Sequence, residues 1–314
     1  MRIRSAGTAV VAALVAASVV MVGLVAVPGV SQAAKKSPPF YLSLGDSYSV
    51  GFQPNANGIG GNATAGYTAY VAKKEKMHLE NFGCGGATTS SILNALGCTQ
   101  SGFGPVAAFD AVPYSTITQE AAALQFISTP ANAGRVGLVT VSIGGNDVTS
   151  CANVGTTAQI LGCIQTADAS ITANVGSLVA SLHTALTAAG DTTARVIGIT
   201  YPDVILGDWV FPAGSPNQTL AGLSVTAFDA LINPTLSAAY GATNFVNITQ
   251  TPYKTATLGD DTPLATTVKA KTYGVIPAAV NEICQLTYFC ALGNIHANDK
   301  GYKFIGQQIV AHLP

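Results

Sequence analysis

Unbroken apolar runs alternate along this chain with stretches whose apolar residues recur at helical spacing, and this alternation most narrows the possible fold. The runs are residues 40–44, 136–143, 195–200 and 244–248, with a weaker one at 79–82. Residues 136–143 carry Val, Leu, Val, Val and Ile with little polar alternation, as expected of a strand covered on both faces. The helical stretches are 118–127, 170–189, 220–240 and 299–313. In the second, Ile171, Val175, Leu178, Leu182 and Leu186 share one face; in the last, Tyr302, Ile305, Ile309 and Leu313 do, with Asn298 as N-cap. Strands alternating with helices predict a parallel sheet wrapped on both sides, with any ligand at the carboxyl ends of the strands. Residues 52–66, rich in Gly and Asn, read as a mobile loop at the mouth of a site. Residues 251–293 exceed a plain connection, and either shape that site or form a disordered insertion.

The first 33 residues read as an export signal. Arg2 and Arg4 precede an apolar run over residues 8–27, Pro28 breaks it, and Ser31-Gln32-Ala33 offers the small residues of a cleavage site. An uncleaved anchor is the alternative, because about 20 apolar residues can span a bilayer. Cleavage near Ala33 leaves residues 34–314 as a single domain, secreted, with twelve bases against fifteen acids and no further membrane span. With 9% charged residues there is no basic stripe to bind nucleic acid. Six cysteines in an exported chain point to disulfides, and their three local groups make Cys84–Cys98, Cys151–Cys163 and Cys284–Cys290 the simplest pairing. A metal site fits poorly, since the groups lack CxxC spacing and companion histidines. No metal or cofactor is expected, and a monomer is.

Three side chains fall where a strand or loop meets a helix. Ser47 follows the first apolar run in Gly45-Asp46-Ser47, Asn146 follows the run at 136–143 in Gly144-Gly145-Asn146-Asp147, and His296 precedes the last helix. A serine hydroxyl needs a nearby base to become a nucleophile. A histidine with an ordinary pKa of about 6.5 can take and return that proton. A carboxamide can donate to an oxyanion without ever losing its proton to the nucleophile. Asp46 and Asp147 read as turn-shaping groups, and His78, His183 and His312 as structural or solvent-facing.

These blocks, with Asn81-x-x-x-x-Gly86-Ala87-Thr88-Thr89 and His296-x-Asn298-x-x-Gly301-Tyr302, occur in the order of the SGNH hydrolases, the GDSL esterase and lipase family. The chain resembles that family over residues 38–314, and most closely its exported, disulfide-containing bacterial branch. The resemblance implies a flavodoxin-like three-layer α/β/α sandwich with a five-stranded parallel sheet. It implies hydrolysis of a small-molecule or lipid ester, with Ser47 as nucleophile and His296 as base. The oxyanion donors would be the main-chain N–H groups of Ser47 and Gly86 and the side chain of Asn146.

One position departs from the pattern. The family carries an acid three residues before the histidine, where this chain has Gly293, and the adjacent Asn294 brings no charge. The expectation is a Ser–His dyad in which the main-chain carbonyl of Gly293 accepts from the imidazole, held in place by a Cys284–Cys290 bridge. Glu282, Asp260, Asp261 and Asp299 are the alternative partners. Lipase, phospholipase, short-chain esterase and carbohydrate esterase remain open, as does an exported binding protein that has lost catalysis. Phe103, Phe109, Tyr273, Tyr288 and Phe289 are candidates to line an acyl groove.

Overall fold

The computed structural model describes residues 37–98, 111–212, 214–249, 252–253, 256–257 and 264–314. Its central sheet is built from β1 (Phe40–Gly45), β4 (His78–Asn81), β5 (Val136–Ser142), β6 (Arg195–Ile199) and β7 (Phe245–Val246). A short antiparallel hairpin, β2 (Phe52–Pro54) and β3 (Gly61–Ala63), interrupts the sequence after β1. The five sheet strands are parallel in the order β4-β1-β5-β6-β7. This is the flavodoxin-like order, which reverses direction beside β1 and opens a crevice at the carboxyl ends there.

The helices are α1 (Ser47–Val50), α2 (Gly66–Glu75), α3 (Ser91–Asn94), α4 (Gln119–Ser128), α5 (Gly145–Thr149) and α6 (Thr157–Ala188), followed by α7 (Gln218–Ala227), α8 (Asn233–Tyr240), α9 (Ala278–Leu286), α10 (Phe289–Leu292) and α11 (Asp299–His312). α2 packs on α11, and α4, α6 and α8 pack side by side. Leu42, Leu44, Leu138, Val139 and Val141 are fully buried between these helical layers. At about 1.5–3 kcal/mol for each such side chain, burial on both faces accounts for runs that scarcely alternate.

The expected strands and helices are all present, with three differences. α6 begins thirteen residues before 170, at a capping box in which Thr156 and Gln159 bond each other's backbone. Its first turns carry Gly162, Thr166 and few large residues, so helical periodicity is weak there; the Thr-x-x-Gln box was the legible signal. The stretch 220–240 is helical but contains a π turn, Phe228–Ile232, just ahead of Pro234. Proline cannot donate to the residue-230 carbonyl, and the wider turn absorbs the mismatch. Residues 52–66, expected to be a mobile loop, form the β2–β3 hairpin. Between residue 264 and Gly293 lie a second hairpin (Thr267–Ala270 with Gly274–Pro277), α9 and α10. All three cysteine pairs join as expected, Cys84–Cys98, Cys151–Cys163 and Cys284–Cys290.

Candidate active site

The carboxyl end of β1 is held without freedom to drift. Both backbone groups of Gly45 bond the amide of Gln119, N–H to Oε1 at 2.6 Å and carbonyl from Nε2 at 3.1 Å. Gly45 has φ +138°, and a Cβ there would lie 2.1 Å from the Ser142 carbonyl oxygen, so only glycine fits between β1 and β5. Asp46 then caps α1, its Oδ1 accepting from Tyr48 N–H at 2.9 Å. Ser47 is thus the first residue of a helix, where a main-chain N–H has no partner within the helix. The other carboxylate oxygen of Asp46 accepts from the Tyr201 hydroxyl at 2.5 Å. Burial pushes the Asp46 carboxyl up to about 7, against the pull of the Tyr201 and Tyr48 donors. Its bonding is that of a turn organiser, as its sequence context suggested.

The ends of β4 and β5 close in from either side. Cys84 N–H bonds the Gly45 carbonyl at 3.0 Å and begins the turn that holds Gly86, with Ala87 N–H returning to the Cys84 carbonyl. Asn146, on α5 after β5, donates from Nδ2 to the Ala87 carbonyl at 2.8 Å. That nitrogen also lies 3.5 Å from Asp46 Oδ2, at the limit of a hydrogen bond, so one of its two protons is weakly held. Asp147 accepts from both the N–H and the hydroxyl of Thr89, tying α5 to the Gly86 loop. Cys84–Cys98 and Cys151–Cys163 anchor the loops after β4 and β5.

His296 arrives from the other end of the chain. Its Nε2 lies 2.8 Å from Ser47 Oγ, and its Nδ1 lies 2.8 Å from Asn294 Oδ1. Asn294 Oδ1 also accepts from His296 N–H at 3.2 Å, while Asn294 Nδ2 donates to the Gly58 carbonyl in the β2–β3 hairpin. That amide orientation makes Nδ1 the donor and leaves Nε2 free to accept from the serine hydroxyl. Tyr48 donates its hydroxyl to the Ile295 carbonyl at 2.6 Å, so the residue after Ser47 holds the segment carrying His296. The imidazole packs against Phe52, ring centres 4.5 Å apart, and stacks on Tyr48 at 6.0 Å. Desolvation by this packing lowers the His296 pKa to about 4.

The expected partner of His296 is therefore corrected: Asn294, not the Gly293 carbonyl, accepts from Nδ1. Gly293 has φ +64° and closes α10, and a Cβ there would lie 2.7 Å from the Phe211 ring. Its part is steric and conformational. A short amide two residues ahead of the histidine can fold back on it as an Asx turn, the signal by which Asn294 could have been found. The acids considered earlier do not serve. Asp299 accepts from Gln53, Glu282 Oε2 is buried without a hydrogen-bond partner, and Asp260 and Asp261 lie outside the described residues. Among the described residues, the one pairing of histidine with an acid is His78 with Glu80, far from the site.

Beside Ser47 and Asn146 opens a narrow, mostly apolar cavity of about 80 Å³, walled by α5, α6, the Val204–Trp209 turn and α7. Tyr273, Tyr288 and Phe289 do not line it. Tyr273 bonds the Cys290 carbonyl, and Phe289 packs against Phe211. Phe103 and Phe109 lie outside the described residues.

No curated protein matches this sequence. Among solved structures, the lipase Lip_vut3 from a goat rumen metagenome superposes with a TM-score of 0.50 at 14% identity, over 87% of this chain and 97% of that one. An acetylxylan esterase from Geobacillus stearothermophilus gives 0.42 at 15% identity over 88% and 94%. A metagenomic hydrolase from Lake Arreo, Spain, gives 0.42 at 13% identity over 87% and 94%. At 14% identity the first of these likenesses speaks to the fold alone. Residues 43–304 match the model of the GDSL-like lipase/acylhydrolase family, a span that starts at β1 and ends within α11. Taken with a five-stranded parallel sheet that joins the ends of β1, β4 and β5, this match makes the chain a carboxylic-ester hydrolase belonging to the GDSL-like lipase/acylhydrolase family.

Proposed function

We propose that the chain hydrolyses esters through an acyl-enzyme on Ser47, with His296 as general base and Asn294 holding the imidazole. The observation that carries this reading is the line from Ser47 Oγ through the imidazole of His296 to Asn294 Oδ1, with a hydrogen bond of 2.8 Å on either side of the ring. His296 Nε2 takes the hydroxyl proton as Oγ bonds to the ester carbonyl carbon, and the carbonyl electron pair moves onto oxygen. Donors for that oxyanion are Ser47 N–H, Gly86 N–H and the weakly held proton of Asn146 Nδ2. On collapse the proton passes from Nε2 to the leaving alkoxide oxygen, which departs as the alcohol. Water, deprotonated by the same Nε2, then attacks the acyl carbon, and Oγ regains the proton as the acid leaves. Treatment with a fluorophosphonate should place the adduct on Ser47 in peptide mass spectrometry; an unlabelled Ser47 in folded protein would sink the assignment. The alternative of a binding protein without catalysis loses its motive, because Nδ1 does have an acceptor.

The uncharged acceptor has a testable consequence. With His296 near 4, the base is protonated and idle below that pH, so kcat/KM should rise with pH through a limb near 4. Asn294→Asp places a carboxylate at Nδ1, favours the imidazolium, and should move the limb up by about one to two pH units. Asn294→Leu removes the acceptor without reversing the tautomer. It should cost roughly 10- to 100-fold in kcat, less than the ~10⁴ that accompanies a wrong tautomer. A limb near pH 7 that stays put in Asn294→Asp would belong to Asp46 and refute this account.

Export is part of the same proposal: residues 1–33 serve as the signal and 34–314 as one secreted, monomeric domain. Three disulfides suit an oxidising compartment. Among the described residues no helix is long and apolar enough to cross a membrane. N-terminal sequencing of protein recovered from the medium should begin close to Ala34.

A further inference from the structure

Tyr48, Tyr201, Phe228 and Ile232 bring the main core to one part of the wall of the cavity beside Ser47, but another part lies outside that core. Cys151, Ile160, Ile164 and Ala227 form a separate buried apolar cluster, with Cys163, Leu220 and Leu231 packed around it. Ile160, Ile164, Leu220 and Ala227 of this cluster face the cavity. One side of the wall is therefore the Ser150–Asn153 turn and the first turns of α6, a segment with few large side chains of its own. The Cys151–Cys163 bridge joins that turn to that helix.

The polar side chains among the lining residues away from Ser47 and Asn146 are spent within the protein. Thr149 Oγ1 donates to the Gly145 carbonyl at 2.7 Å, Ser224 Oγ to Asp203 Oδ2 at 2.7 Å, and Tyr201 to Asp46 at 2.5 Å. A sugar or a charged head group would lose its hydration here and find no replacement bonds. An unbranched hydrocarbon loses nothing and gains burial.

We propose that this cavity is the subsite for a straight fatty-acyl chain, and that the Cys151–Cys163 bridge fixes its wall and so sets chain-length preference. The inference rests on the reading of Ser47 as nucleophile, since the acyl carbon must lie at the Ser47 end. Each methylene that enters the cavity should raise kcat/KM about fourfold, so four of them amount to about 10²-fold. The wild type should accordingly prefer 4-nitrophenyl octanoate over butanoate by about that factor.

The test compares kcat/KM on 4-nitrophenyl acetate, butanoate and octanoate for the wild type, Ala227→Phe, Ala152→Phe and the Cys151→Ser/Cys163→Ser double variant. Circular dichroism melts would check each fold. Either phenylalanine should lower the octanoate-to-acetate ratio about 10²-fold. Ala152 is only partly buried, so that variant covers the case in which Ala227→Phe does not fold. Loss of the bridge should lower the ratio at least tenfold. A flat chain-length profile in wild type whose Ser47 takes the fluorophosphonate would overturn the subsite while leaving the nucleophile in place. An unchanged ratio in both phenylalanine variants would do the same. If the cysteine variant loses acetate and octanoate turnover equally, the bridge supports the Asn146 loop and not the acyl wall, and its proposed role fails.

Discussion

Ser47→Ala should reduce ester turnover by roughly 10⁴–10⁶, to the residue of catalysis left by substrate binding and the oxyanion donors. His296→Ala should fall to a similar level, because a serine hydroxyl without its base is a poor nucleophile. The double variant should be no worse than either single one, since the two residues act as a unit and their losses do not add. That non-additivity is the sharper test. Independent losses that multiply would mean that Ser47 and His296 do not share a proton, whatever the 2.8 Å separation suggests. Turnover of 4-nitrophenyl butanoate, measured on variants whose melting matches the wild type, is sufficient. A tenth of wild-type activity surviving in either single variant would refute the pair.

Asn146→Ala should lower kcat by about 10²–10³ with little change in KM, the size seen when one oxyanion donor is removed. The resting geometry leaves a proton for that proposed role. One Nδ2 proton is committed to the Ala87 carbonyl at 2.8 Å, which fixes the amide. The other lies only 3.5 Å from Asp46 Oδ2, is weakly engaged there, and is free for a stronger acceptor placed along its direction. Asn146→Asp keeps the shape but replaces the donor with an acceptor, and should be at least as damaging as alanine. A defect confined to KM would reassign Asn146 to substrate positioning. Because Asn146 also ties α5 to the Ala87 turn, the melting temperature of each variant must be read beside its kinetics.

The sheet and the candidate carriers of the chemistry follow in order along the chain. Five apolar runs became five parallel strands because a strand buried on both faces has to be apolar throughout, whichever residues cover it. Asn298 was legible as an N-cap because capping is local: its Oδ1 accepts from Lys300 and Gly301, two and three residues on. The disulfides were legible because each bridges a short span. What failed to show were relations set by backbone direction or by distant segments. Whether Gly293 or Asn294 reaches Nδ1 depends on the turn between α10 and His296, and on a hairpin carbonyl at Gly58 that fixes which way the amide faces. The early turns of α6 were missed because their few large residues pack on a small side cluster, too sparse to repeat visibly.

By itself, then, the sequence determined the layered fold, the order of strands and helices and the cysteine pairs, and it singled out Ser47, Asn146 and His296 as candidates. The fold rests on apolar patterns and local propensity, the cysteine pairs on short spacing, and the candidates on ordered motifs, none of which needs knowledge of distant partners. Tertiary structure alone decided the acceptor behind His296, the Tyr201 hydroxyl on Asp46, and the cavity between α6 and α7. Asn294 is only two residues from His296, but the Gly58 carbonyl that orients its amide, the Tyr201 hydroxyl and the cavity walls come from segments tens to hundreds of residues away, which the parallel crossovers of the sheet carry to the same ends of β1, β5 and β6.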